Sequence, residues 1–133
     1  MADPTEVFEF NEDSTGDLTF ILADKNGTPI PLANLTTLVL TLYHKSTGAI
    51  INTRTAQNVL NANNHTVHAT SGLVTWSLQA ADNVILGALD PDQQWPDGSL
   101  ERHVAFYKWT YNAGAEQGNV EVQINIRNRK KLP

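Results

Sequence analysis

The sequence predicts an all-β protein: an antiparallel β-sandwich of about seven or eight strands, with one short helical turn and extended terminal arms. Apolar and polar residues alternate over several short segments, the period of a half-buried strand. The clearest case sets Val120, Val122, Ile124 and Ile126 against Glu121, Gln123, Asn125 and Arg127. Turn signals rich in glycine and asparagine break these segments at short intervals. Charged residues make up only 17% of the chain, too few to cover a set of exposed helices, whose outer faces are charged.

Taken in order, Met1 to Thr5 reads as an arm, and Val7-Phe8-Glu9-Phe10 as a short edge strand with Phe8 and Phe10 on one face. Asp17 to Ala23 places Leu18, Phe20 and Leu22 on one face. Asp24-Lys25-Asn26-Gly27 predicts a hairpin turn of type I′, because Asn-Gly tolerates positive φ. Two prolines confine Thr28 to Leu32 to an edge or a non-ladder segment. Thr37 to His44 is a nearly continuous apolar strand, turned by Ser46-Thr47-Gly48 into a return strand at Ala49 to Thr53. Asn58 to Asn64 reads as loop or irregular strand, Thr66 to Thr70 as a short strand, and Leu73 to Leu78 as a strand with Val74, Trp76 and Leu78 on one face. Gln79 to Leu86 is the helical piece, ended by Gly87. Ser99 to Arg127 forms the last hairpin, two strands joined by the polar connection Tyr111 to Gly118. The first of these two strands is apolar on both faces, which suits a central strand. Leu40, Trp76, Phe106 and Ile124 are expected to meet between the two sheets.

With 133 residues, the chain suits one domain with a real core. The expected division is an acidic N-terminal arm at 1–13, the sandwich at 14–127 and a basic C-terminal tail at 128–133. There is no cysteine, which leaves neither disulfides nor thiolate metal sites, so extra stability is expected from a larger assembly. The first residues do not resemble a signal peptide, and no apolar run is long enough for a membrane helix. Three Asn-x-Thr sequons, at Asn26, Asn34 and Asn64, are read as chance.

The net charge of −5 argues against a nucleic-acid surface. The ends are opposite in sign: Asp3, Glu6, Glu9, Glu12 and Asp13 at one, Arg127, Arg129, Lys130 and Lys131 at the other. The tails are therefore expected to dock on neighbouring subunits.

Catalytic and metal chemistry finds little support. His65 and His68 would point to opposite faces of a strand and chelate poorly. Asp90, Asp92 and Asp97 lack the spacing and closing glutamate of a calcium loop. Glu101, Arg102 and His103 have no nucleophile beside them and read as structural ion pairing. No nucleophile elbow, phosphate loop or dinucleotide fingerprint occurs, so neither an enzyme nor a cofactor is expected. Trp76 and Trp109 read as core. Trp95, in a loop flanked by Pro91 and Pro96, reads as a contact residue.

Residues 16–111 resemble the immunoglobulin-like domains of tailed-phage virion proteins, such as capsid decoration proteins and the N-terminal domain of upper baseplate proteins. The resemblance is carried by Gly16-Asp17, the Asp24-to-Gly27 turn, Pro31-Leu32, Leu38 to Tyr43, Gly72 to Leu78, Ala81-Asp82 and Phe106 to Tyr111. It implies an immunoglobulin-like sandwich in a non-enzymatic virion protein, with a capsid decoration or stabilising role as the expectation. A tail, baseplate or neck adaptor is one alternative. A carbohydrate-binding module using Trp95 and Tyr111 is another. The expected partners are the major capsid protein or other virion structural proteins and further copies of the chain, not nucleic acid or membrane. Phe8, Phe10, Trp95, Arg127, Arg129, Lys130 and Lys131 are the residues expected to meet them.

Overall fold

The structure, a computed structural model, describes residues 6–86 and 100–127. It is an all-β sandwich of eight strands: β1 (Glu6–Asn11), β2 (Gly16–Ile21), β3 (Leu35–His44), β4 (Gln57–Asn58), β5 (His65–Val67), β6 (Leu73–Leu78), β7 (Leu100–Tyr111) and β8 (Glu116–Arg127). One sheet has the order β1-β8-β7-β3-β4, the other β2-β6-β5. The β2-β6-β5 and β8-β7-β3-β4 orders match the B-E-D and G-F-C-C′ arrangement of a variable-type immunoglobulin sandwich.

The long β7–β8 hairpin is the spine, with twelve paired positions from Leu100↔Arg127 to Tyr111↔Glu116. Its register places Gly118 opposite Trp109. A β-carbon on Gly118 would come within 2.7 Å of the Trp109 indole, so only glycine lets the ring lie across the partner strand. β3 pairs antiparallel to β7 over nine positions, with a bulge between Leu35 and Thr37.

One sheet departs from the antiparallel expectation. β1 runs parallel to β8, with Phe8 opposite Ile124 and Phe10 opposite Ile126. The segment expected as an acidic arm therefore contributes a strand over Glu6–Asn11. Phe8 and Phe10 alternate with Val7 and Glu9, and they pack partly buried against the core.

Leu18, Leu22, Leu38, Leu40, Leu42, Trp76, Tyr107, Ile124 and Ile126 fill the space between the sheets and are essentially inaccessible. Phe106 is a correction. The inward face of β7 is His103, Ala105, Tyr107 and Trp109, and Phe106 lies half-buried on the outer face. Because β7 is apolar on both faces, its alternation could not tell inside from outside. The register does: Tyr107 pairs with Leu40 and Phe106 with Thr41.

Three local readings also change. Ala49 to Thr53 forms no return strand, only a bridge between Tyr43 and Ile50. The partner of β3 is instead the short β4. The helical piece shrinks to a 3₁₀ turn at Ala80–Asn83, and a second such turn occupies Leu32–Asn34. At the Asp24–Gly27 turn, Gly27 has φ +83° while Lys25 and Asn26 do not have positive φ. The Gly27 N–H bonds to the Asp24 carbonyl at 2.9 Å. The turn is thus type I followed by a left-handed glycine, not type I′. The Asp24 carboxylate drives this choice by accepting from the backbone N–H of Asn26 and of Thr28.

Trp76→Ala should cost about 3–5 kcal/mol, whereas Phe106→Ala should cost only about 1 kcal/mol, because its ring is only partly buried and lies outside the core. Chemical denaturation of both variants measures the difference. Equal losses would contradict the assigned faces of β7. Gly27→Val has open space around its β-carbon. Its loss, about 1–2 kcal/mol in the same experiment, should therefore come from backbone strain alone.

Candidate interaction face

The polar chemistry of this chain lies mostly inside it. Arg54, nearly fully buried, grips Asp82 with two bonds, Nε to Oδ1 at 2.6 Å and Nη2 to Oδ2 at 3.1 Å. Its remaining donors reach Gln57, the Asn63 carbonyl and Asn64. Asp82 also accepts from the Asn52 side chain and the Gln79 backbone N–H. The pair is saturated by its own chain, which is how a buried ion pair is tolerated.

His65 is stacked on Trp76 with ring centroids 5.0 Å apart. Its Nδ1 lies 2.9 Å from the Asn63 carbonyl and its Nε2 2.7 Å from the Tyr107 hydroxyl. A carbonyl can only accept, so Nδ1 carries the proton and Tyr107 donates to Nε2. Burial, reinforced by the nearby Arg54 charge, lowers the His65 pKa to about 4. His68 instead faces solvent and uses Nδ1 to accept the backbone N–H groups of Thr70 and Ser71. The two histidines therefore do not converge. Among the described residues, no three His, Asp or Glu side chains are grouped to hold a metal ion.

Among the described residues, no other layer covers the outer face of the five-stranded sheet, although Val104 on it is only 4% exposed. One row runs in register across β1, β8, β7 and β3 and on to Ile50. Ile50 bridges Tyr43, Tyr43 pairs with Val104, Val104 with Gln123, and Gln123 with Val7. Paired residues share a face. The row therefore reads Ile50, Tyr43, Val104, Gln123, Val7, apolar at four of its five positions. Phe106, two residues along β7, extends it between Thr41 and Glu121. Val7 and Ile50 are 59% and 42% exposed, so two of the chain's most exposed large apolar residues mark the two ends of one row. Scattered apolar residues need no explanation, but an aligned row rimmed by polar groups is the makeup of a contact surface.

The rim is polar and internally paired. The Tyr43 hydroxyl donates to Glu121 at 3.4 Å, and burial together with the Glu121 charge raises its pKa. The Lys45 ammonium donates to Gln123 at 3.1 Å. Arg127 bridges to Glu9 at 2.7 Å. Of the residues expected to meet partners, Arg127 lies on this face, engaged with Glu9. Phe8 and Phe10 lie on the opposite side of β1 against the chain's own core. Trp95, Arg129, Lys130 and Lys131 fall outside the described residues, as do Asp90, Asp92 and Asp97.

Tyr111 is only 4% exposed, so its ring offers no platform for a sugar. It lines a cleft of about 150 Å³ with Asp24, Pro29, Pro31 and Asn34, smaller than ordinary small-molecule pockets. The row on the outer face was missed in the sequence although a signal existed: Tyr43, Val104 and Phe106 all sit on the face opposite to core residues.

No family model matches this sequence, and no curated protein does. Among the described residues, no helix is long and apolar enough to cross a membrane.

The His65 geometry sets an acid response. The unfolded chain takes up a proton near pH 6.5, whereas the folded chain resists until about pH 4. Stability should be full above pH 6.5 and fall by about 3 kcal/mol as pH drops through that window. His65→Gln should flatten this part of a stability–pH profile measured by urea unfolding. An unchanged slope would show that His65 is not its source.

Proposed function

We propose that this chain is a non-enzymatic structural protein of a tailed-phage particle, a decoration or stabilising protein that seats the outer face of its five-stranded sheet on a capsid protein. The observation that carries the reading is the in-register row Ile50–Tyr43–Val104–Gln123–Val7 with Phe106 beside it. An apolar centre with a polar, hydrogen-bonded rim suits a protein partner, because the centre gains by desolvation and the rim sets register. The internal use of Arg54, Asp82 and His65 supports the same reading, since these groups serve the fold and face no cleft. The phage setting rests on the resemblance of residues 16–111 to immunoglobulin-like virion domains. The basic residues Arg129, Lys130 and Lys131 are proposed as a second, electrostatic contact, with other virion proteins or further copies as partners.

Val7→Asp combined with Ile50→Asp tests this. Both sites are exposed, so folding should change by no more than about 0.5 kcal/mol per site. Binding to particles lacking the protein should weaken by about tenfold or more in co-sedimentation. Undiminished occupancy would overturn the role of the face. Reversal of Arg129, Lys130 and Lys131 to Glu should weaken attachment mainly at low salt, where charge contacts are least screened.

A further inference from the structure

Glu101, at the start of β7, is fully buried. Its carboxylate accepts the backbone N–H of Leu86 at both oxygens, at 2.9 and 3.1 Å. Its Oε1 lies 2.7 Å from His103 Nε2, and its Oε2 lies 3.7 Å from His44 Nε2. Both imidazoles are fully buried as well. β3 contributes His44, β7 contributes His103, and the β8 residue paired with Glu101 is Ile126, which is apolar. Among the described residues these are the titratable groups that face the carboxylate.

The protonation of the cluster follows from its hydrogen bonds. His44 Nδ1 accepts the backbone N–H groups of Ser46 and Thr47, so its proton sits on Nε2, which is turned toward Glu101 at 3.7 Å without a hydrogen bond. His103 bonds the carboxylate through Nε2–H, and its Nδ1 is buried with no hydrogen-bond partner. Leu86 can only donate. Among the described residues, the groups bonded to the carboxylate, Leu86 N–H and His103 Nε2–H, both donate to it, and none offers it an acceptor.

Among the described residues, a further proton finds no acceptor. On Glu101 it makes an O–H among donors. Passed to His103, it leaves an Nδ1–H buried without an acceptor. On His44 Nδ1 it displaces the Ser46 and Thr47 N–H groups. Each outcome strands a buried donor, which is costly.

We propose that Glu101, His103 and His44 form a proton-sensitive joint, which fastens Leu86 to the start of β7 at neutral pH and lets it go when one proton is added. The shift of the carboxyl agrees: burial pushes Glu101 up, but the His103 and Leu86 bonds outweigh it and hold the group below its ordinary value. The joint lies on the inner side of β7, away from the proposed contact face.

Amide hydrogen exchange on the intact chain, followed by NMR as pH is lowered and corrected for intrinsic rates, tests the joint. Protection of the Leu86 amide should fall about tenfold per pH unit once the cluster takes up its proton. The amides of Leu40 and Leu42, in the core strand β3, should follow global stability, including the loss due to His65, and stay more protected than Leu86 as pH falls. In Glu101→Gln, protection at Leu86 should be low and independent of pH while the core amides remain protected. If Leu86 tracks Leu40 and Leu42 at every pH in the wild-type chain, the joint does not exist as a separate switch, whether or not the variant folds. Retention of the wild-type pH dependence in Glu101→Gln would equally overturn it.

Discussion

The Arg54–Asp82 ion pair is the interaction on which the less regular half of this sandwich depends. Between β3 and β5 the chain makes only a two-residue strand, yet six non-glycine residues there hold positive φ: Asn52, Thr53, Ala56, Asn61, Asn63 and Asn64. Asparagine tolerates that region, but a β-branched threonine and an alanine do so only under constraint. The constraint is Arg54. Its guanidinium bonds the Gln57 and Asn64 side chains and the Asn63 carbonyl, while its partner Asp82 holds Asn52. Arg54 also lies 5.3 Å from the centre of the Trp76 ring, so the same cation sits on the core's largest side chain. Local strain, loop shape and core closure are thus tied to one charge pair. Loss of either partner would leave the other buried and uncompensated, a loss of about 3–5 kcal/mol in comparable pairs.

That network shows why some of the fold was legible in the sequence and some was not. Strands with one apolar face declared themselves. The alternation in β2, β6 and β8 placed Leu18, Trp76 and Ile124 in the core correctly. Where both faces are apolar, as in β7, period-two reasoning has no sign, and Phe106 was assigned inward in place of Tyr107. The asparagine-rich stretch marked a loop for the right reason, tolerance of left-handed backbone, but nothing local revealed that Arg54 would organise it. Its partners lie up to 28 residues away. The β1–β8 pairing is likewise a long-range fact. The sequence marks Val7 to Phe10 as a short edge strand with Phe8 and Phe10 on one face, but not that Ile124 and Ile126 lie beside them. The outer-face row was missed for the same reason, because its members come from five separate segments and only the register lines them up.

The outer and inner surfaces of the large sheet divide the work between them. Outside, the ionisable groups with known partners, Glu9 with Arg127 and Tyr43 with Glu121, are partly solvated and weakly held, so they can exchange partners with a docking surface at small cost. Inside, Arg54, Asp82, His65 and Glu101 are buried and hydrogen-bonded to groups of their own chain. A residue on β7 belongs to one side or the other by parity alone. Glu101 and His103 fall inside with Tyr107, whereas Val104 and Phe106 fall outside.

This parity separates two responses that share one strand. Protons act on the inner groups, and their effect is on how firmly Leu86 and the core are held. A macromolecular partner acts on the outer row, and its effect is to remove Val7, Ile50 and Phe106 from water. Neither set of side chains touches the other's space, so the two are joined only through the backbone of β7 and its neighbours β3 and β8. The pairing of β7 with β8 extends over its whole length, so that backbone is held by a continuous ladder. A rigid spine between two chemically distinct faces transmits little, so acid should loosen the Leu86 end of the domain without first reshaping the contact face. Coupling would appear only when the spine itself opens, at the pH where the core amides lose protection and the sandwich unfolds as one unit.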